Sequence, residues 1–360
     1  MEKLLFTAYT LDVGGVEIAL VNLLNNLIKK YDITLVLEKK QGVFLNELNS
    51  KIKIIEYKPN QNKNILIRKI INLLKRIKFI IKYKNKYDFA GSFATDVKMG
   101  SFCARTASKN NALWVHTDYL EFYENNEKKM RDFFQFINYD KFKNIICVSN
   151  IAKKSLEKVL TNYNKNIYFI NNLVDYKKII KKSNEEIELE KDEEKTTFLN
   201  VSRQEEKSKK ITRIIEVAEK LKQDDFKFRI LLIGEGIDTN LYKKLVKEKK
   251  LEKYILFLGQ KENPYPYFKI SDCFLLTSEF EGYPVVFNEA KVLNLPIITT
   301  DVSDAEKDIK GQYGIVTEKN INSIYSAMKN FINNKYKIEN KFDAQEFNNK
   351  ILNKLENIFK

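Results

Sequence analysis

Short apolar runs alternate with longer amphipathic stretches through the first half of the chain, and the alternation predicts a parallel α/β fold. Residues 4–9, 33–38, 89–94, 112–116, 144–148 and 167–170 carry the strand pattern. Between several of them, as over 15–29, apolar residues recur at helical spacing. Strands separated by helices pair in parallel, with helices on both faces. The stretch 177–195 breaks the rhythm with Lys-Lys, Glu-Glu and Lys-Asp-Glu-Glu-Lys, and it reads as a solvated linker. A second strand series follows at 197–201, 229–233, 255–258, 273–277 and 296–299. The expected organisation is therefore a Rossmann-like domain over 1–176, a linker over 177–195 and a second Rossmann-like domain over 196–343. The last helical pattern, within 344–360, is expected to pack back on the first domain.

A length of 360 residues suits two domains of roughly 150 residues each. The chain holds three cysteines, Cys103, Cys147 and Cys273, an odd number without paired spacing. Neither a disulfide scaffold nor a zinc site is expected, and free thiols suit a reducing cytosol. The N-terminus enters an apolar strand directly, with no signal-peptide pattern, and no apolar run approaches the ~18 residues of a membrane span. These features predict a cytoplasmic protein. A net charge of +15 suits nucleic acid, anionic lipid or a phosphorylated substrate, and alone selects none of them.

In open α/β sheets ligands bind beyond the carboxyl ends of strands, so the loops there hold the candidate chemistry. After the first strand comes Asp12-Val-Gly-Gly-Val-Glu17, where Gly14 and Gly15 precede a helix whose free N–H groups suit an anion. A tight strand-to-helix turn would use the same pair. After the strand that opens the second domain comes Arg203, with Lys207 or Lys209 a few residues on. Such a basic pair can clamp a diphosphate and neutralise its charge on departure, or it can be a solvated turn. After the strand at 273–277 comes a turn with Glu281, Gly282, Tyr283 and Pro284, then a helix from Val285 that carries Glu289 about one turn in. The eight-residue spacing puts two carboxylates toward one crevice, where one can hold sugar hydroxyls and the other a ribose diol. His116, the only histidine, ends the apolar strand Leu113-Trp114-Val115 and precedes Thr117 and Asp118. A lone histidine there is either a structural hydrogen-bonder or a site residue.

Together these segments resemble the retaining GT-B glycosyltransferases of the group 1 type (family four), over most of the chain and in the right order. Ser278-Glu-Phe-Glu-Gly-Tyr-Pro284 with Glu289-Ala290 is similar to the family's E-x7-E motif, and Pro296-Ile-Ile-Thr-Thr-Asp301 to the stretch that follows it. Gly14-Gly15-Val16-Glu17 resembles the donor-phosphate loop. Arg203 and Lys209 resemble the basic pair with the register shifted by one residue, Lys207 being the alternative. Asn172-Leu-Val-Asp175 is similar to an N-G-V-D hinge with Leu in place of Gly. Gly234-Glu-Gly236, and Gly259 with Asn263-Pro-Tyr265, resemble loops that border the nucleotide.

The resemblance implies a GT-B fold, two Rossmann-like doubly wound domains facing a central cleft. It implies a nucleotide-sugar donor, UDP-linked by preference. Arg203 and Lys209 would bind the diphosphate, helped by the backbone at Gly15 and near Val285. Glu281 would hold the donor sugar and Glu289 the ribose, with Gly234, Gly282, Tyr283 and Pro284 lining the donor. His116 would lie near the transferred sugar, with Trp114, Thr117 and Asp118 on the acceptor side. The implied reaction retains anomeric configuration and delivers the sugar to a hydroxyl of a glycan or polyprenyl-linked acceptor in bacterial capsule, lipopolysaccharide or teichoic acid synthesis. No D-x-D triplet occurs, so no metal cofactor is expected.

Residues 63–86 contain nine basic residues and no acidic one, with isoleucine and leucine at helical spacing between them. A basic amphipathic helix of this kind can lie on anionic lipid, with Arg68, Lys69, Lys75 and Arg76 as contacts. Alternatively its apolar face is core and its basic face solvated. A nucleic-acid-binding protein is the competing function class, but no RNA-binding or DNA-binding motif is present and the basic residues alternate with isoleucine rather than aromatics. No nucleic-acid partner is expected.

Overall fold

The computed structural model describes residues 1–338 and 341–360, which divide into two compact units. One is Met1–Leu173 with Phe347–Lys360, and the other is Val174–Glu346.

The first unit is built on a parallel sheet of β1 (Lys3–Ala8), β2 (Asp32–Leu37), β3 (Lys53–Glu56), β4 (Phe89–Ser92), β5 (Asn111–Val115), β6 (Asn144–Cys147) and β7 (Asn166–Phe169). Their order is β3-β2-β1-β4-β5-β6-β7. Every residue of β4, β5 and β6 is buried, as a sheet covered on both faces requires. The chain winds outward from β1 through β2 and β3, then returns to lay β4 on the other side of β1, with Thr7 opposite Ser92. The final helix, Ala344–Phe359, completes this unit's core. Phe359 packs on Phe89 and Phe6, with ring centroids 4.6 and 6.3 Å apart, and Asn110 Nδ2 donates to the carbonyls of Ile358 and Phe359 at 2.9 Å.

The second unit repeats the scheme with β8 (Thr196–Val201), β9 (Phe228–Ile233), β10 (Ile255–Gly259), β11 (Cys273–Leu276), β12 (Ile297–Thr300) and β13 (Gly314–Thr317), in the order β10-β9-β8-β11-β12-β13. All pairs are parallel. Phe198, Ile230, Leu232 and Leu275 meet Ile214 and Ala218 of helix Ile211–Gln223 and Phe331 of helix Ile321–Asn334 in one core. Here the winding direction reverses between β8 and β11. Reversal points are where loops from neighbouring strands part and leave room for a ligand.

Strands β3 and β13 do not stand out in the sequence, because each is a four-residue edge strand and only partly buried. The stretch read as a linker opens instead with helix Tyr176–Lys182, which begins with Asp175 accepting from the Lys178 N–H at 3.1 Å and buries Ile179. Its lysines mask a helix that packs against helix Val285–Val292 of the same unit. Among the described residues no helix is long and apolar enough to cross a membrane.

Candidate active site

Two loops leave the reversal point of the second sheet, one from β8 and one from β11. The β8 loop runs through Arg203 and Gln204 into the short helix Glu206–Lys209, and the β11 loop runs from Thr277 to Pro284. Backbone and side-chain bonds hold them together. Glu279 N–H donates to the Ser208 carbonyl at 2.7 Å, Thr277 Oγ1 to the Lys210 carbonyl at 3.1 Å, and Arg213 Nη1 to the Thr277 carbonyl at 3.0 Å. Arg213 also pairs with Glu279.

Across this seam the Lys209 ammonium is ion-paired with Glu281, and both side chains are largely buried. Ser278 Oγ donates to the same Glu281 oxygen at 2.7 Å. Glu281 is thus fixed by one cation and one hydroxyl on two loops, and Lys209 is the member of the Lys207/Lys209 alternative that the fold aims at it. Lys207 is exposed. Arg203 is not drawn into the pair. Its side chain is 74 % exposed and lies 3.4 Å from Glu205.

The neighbouring β9 loop presses against the β8 loop. Gly234 has φ +121°, and a Cβ there would stand 2.1 Å from the Ser202 carbonyl oxygen, so only glycine fits. Gln204 donates from Nε2 to the Gly234 carbonyl at 2.8 Å, while its buried Oε1 has no partner. Sequence reasoning passed over Gln204, since a glutamine between Arg203 and Glu205 carries no pattern. The unpartnered amide oxygen is what marks it.

Glu289 occupies a different environment from Glu281. It is 6 % exposed, and Tyr265 Oη donates to its Oε1 at 3.3 Å. Burial pushes its pKa up to about 7, against smaller opposing effects of the Tyr265 hydrogen bond and the positive charge of Lys178. The Asn263-Pro264-Tyr265 loop and helix Tyr176–Lys182 therefore both serve this carboxylate. Asn263 Nδ2 joins the two by donating to the Lys182 carbonyl at 2.9 Å.

Helix Val285–Val292 starts after Pro284 with no side-chain cap, which leaves its first turn open to an anion. The turn before it is anchored from below. Gly282 lends its carbonyl to Ser303 Oγ. Tyr283 is buried, and its hydroxyl donates to Asp308, which also receives Lys291 Nζ at 2.6 Å. Lys291 is almost wholly buried, and burial holds its pKa below the usual lysine value despite Asp308.

In the first unit the reversal point lies between β1 and β4, and the Gly14–Gly15 turn follows β1 there. Gly15 opens helix Gly15–Leu27, again without a side-chain cap, and the Glu17 carboxylate folds so close to Gly14 that a Cβ would be 2.2 Å from it. His116 follows β5. Its ring lies 4.6 Å from Phe93, and its Nε2 is buried without a partner. Burial lowers its pKa to about 3, outweighing a backbone hydrogen bond with Phe93, so at neutral pH it is an uncharged imidazole.

Two of the expected acceptor-side residues have other work. Trp114 is buried among Phe6, Phe89 and Phe93 and is a core residue. Asp118 is buried, caps helix Tyr119–Phe122 by accepting from the Leu120 N–H at 3.0 Å, and accepts from Ser155 Oγ at 3.0 Å. Thr117 is half-buried.

Two doubly wound parallel units, the second with a basic and an acidic loop at its reversal point, have the architecture of the GT-B fold. A family model described as glycosyl transferases group 1 matches residues 181–349. The chain is 26% identical over 348 residues, 92% of its length and 90% of the relative's, to the Campylobacter jejuni N-acetylgalactosamine-N,N'-diacetylbacillosaminyl-diphospho-undecaprenol 4-alpha-N-acetylgalactosaminyltransferase. Its fold is similar to that of Anabaena Alr3699/HepE solved with UDP, with a TM-score of 0.76 at 14% identity over 99% of this chain and 100% of that one. It is also similar to S. aureus TarM, solved with UDP and alpha-GlcNAc-glycerol among its ligands, with a TM-score of 0.77 at 15% identity over the whole of both chains.

Proposed function

We propose that the chain transfers a sugar from a nucleotide-sugar, a UDP-sugar by preference, to a hydroxyl of a lipid-linked or polymeric glycan in the building of bacterial surface polysaccharide, with retention of anomeric configuration. The observation that carries this reading is the division of labour between the two glutamates. Glu281 is charge-paired and aimed by Lys209 and Ser278. Glu289 is desolvated, with Tyr265 as a hydroxyl partner. A buried carboxylate with unused acceptor capacity suits a ribose diol, whose two hydroxyls would donate to it. Lys209, released from Glu281 toward an incoming diphosphate, would neutralise the leaving group together with Arg203, so that no divalent ion is required. Glu281 would then accept from the donor sugar's hydroxyls.

The UDP in the HepE and TarM structures supports the choice of nucleotide, and the diphospho-undecaprenol in the Campylobacter relative's name supports a lipid-linked acceptor. Hexose and N-acetylhexosamine donors both fit this reading. The test is a screen of UDP- and GDP-sugars for slow hydrolysis, repeated with EDTA and with Glu281→Ala. Turnover of a UDP-sugar that survives EDTA and disappears in the variant is expected. Hydrolysis undiminished in Glu281→Ala would reject the site.

A further inference from the structure

The helix that carries Lys209 is a single turn, Glu206–Lys209, and a turn of that length does not hold its shape unaided. Its ends supply little. Glu205 at its start makes no side-chain cap, and Lys210 at its end is a left-handed residue with φ +50°. Lys210 also opens helix Ile211–Gln223, again without a side-chain cap. The aim of Lys209 is therefore set by whatever grips the turn from outside.

Glu206 is the residue gripped. Its N–H donates to Asp238 Oδ2 at 2.8 Å, from the position just before helix Thr239–Glu248. Its carboxylate receives three donors from two other helices. Thr212 Oγ1 reaches Oε1 at 2.6 Å, the Thr212 N–H reaches Oε2 at 3.4 Å, and Tyr242 Oη reaches Oε2 at 3.1 Å. Lys210 Nζ lies 3.7 Å from Oε1. The carboxylate thus does the capping that Lys210 does not, at a helix start where negative charge is favoured. Tyr242 is fully buried, and burial together with the Glu206 charge holds its hydroxyl well above the usual tyrosine range. It remains a donor at every working pH. None of Glu206, Thr212, Asp238 and Tyr242 is among the groups assigned to the donor.

Drawing a carboxylate out of water against a buried tyrosine costs stability, and an apolar contact would join the same elements at less cost. What the hydrogen bonds add is direction. Bonds from both ends of Glu206, backbone and carboxylate, fix the position and the rotation of the turn, three residues before Lys209. We propose that Glu206 is a positioning residue for the donor diphosphate: clamped by Thr212, Asp238 and Tyr242, it fixes the turn that aims Lys209. The inference rests on the reading of Lys209 as a diphosphate ligand. Without the Tyr242 hydroxyl the carboxylate can turn, the one-turn helix rocks with it, and the ordering of Lys209 must be supplied when the nucleotide binds.

The test is a double-mutant cycle on the full chain, read by calorimetric titration of UDP, with thermal melting to show that each variant is folded. Tyr242→Phe keeps the buried ring and removes only the donor. It should weaken UDP binding about fivefold to tenfold. In the Lys209→Ala protein the same change should cost less than about twofold, because no aimed cation is left to misplace. Glu206→Ala should lose at least as much as Tyr242→Phe. Glu206→Gln, whose amide oxygen still accepts from Tyr242, should keep most of the affinity. An equal loss from Tyr242→Phe in both backgrounds would overturn the proposal. So would unchanged UDP affinity in a Tyr242→Phe protein that melts at a lower temperature, which would make the network a stabilising one only. Absence of UDP binding to the wild type would overturn the donor reading, and this inference with it.

Discussion

Lys209 and Glu281, 72 positions apart in sequence, form an ion pair across the two loops that leave the adjacent strands β8 and β11. On the proposed reading, the pair ties the cation that would meet the diphosphate to the carboxylate that would hold the sugar, so neither would act alone. Lys209→Ala and Glu281→Gln are each expected to lower kcat/KM about 10²-fold to 10³-fold. The double variant should lose far less than the product of the two, because each single change already frees the partner. Steady-state kinetics on all four proteins measures the coupling, and strict additivity would separate their roles.

Glu289 supplies a pH signature. Its folded pKa, near 7, lies above the ordinary value of 4.5. Its protonated form therefore favours the folded chain. This contribution is full below about pH 4.5, declines as pH rises to about 7, and is lost above it. Glu289→Gln should stabilise the ligand-free protein at pH 8 by on the order of 2–3 kcal/mol. Ribose hydroxyls donating to the carboxylate favour its charged form, so nucleotide binding should release a proton near pH 6.5. Urea melts and calorimetry in two buffers of different ionisation enthalpy read the two effects.

His116, with a pKa near 3, has no protonated population at neutral pH. The rate profile between about pH 5.5 and 8 should therefore lack a limb belonging to histidine. If the uncharged ring acts by hydrogen bonding through Nε2, His116→Phe should keep the contact with Phe93 and the fold, and lose rate evenly across that range. A limb near pH 6.5 that vanishes in the variant would contradict this.

The buried Lys291 depends on Asp308. Asp308→Ala leaves an unpaired buried ammonium and should destabilise the second unit by about 3–5 kcal/mol. With its counter-charge gone the lysine pKa falls further, so the variant should recover stability as pH rises. Lys291→Met should cost much less, since Asp308 is partly exposed. Chemical melts of the three proteins at two pH values test the asymmetry.

Much of this was legible in the chain itself. The buried strands β1, β2, β4, β8 and β9 announce themselves because a parallel sheet covered on both faces needs unbroken apolar runs, and the loops after β8 and β11 follow from them. The Glu281–Glu289 spacing was also visible. Its consequences were not, since the Lys209 pairing and the Tyr265 contact come from folding segments together rather than from any local pattern. The helix Tyr176–Lys182 was hidden by its lysines, with only Ile179 buried. The resemblance puts Trp114 on the acceptor side, but the last residue of β5 is Val115, and Trp114 lies one step inside the core.

The most direct measurement is a calorimetric titration of UDP into the wild-type chain, Lys209→Ala and Glu289→Gln. A single saturable site is expected in the wild type, weakened about 10-fold to 100-fold in each variant by loss of a charge-assisted contact. Equal affinity in all three proteins, or no binding in the wild type, would contradict a nucleotide-sugar site between the β8 and β11 loops.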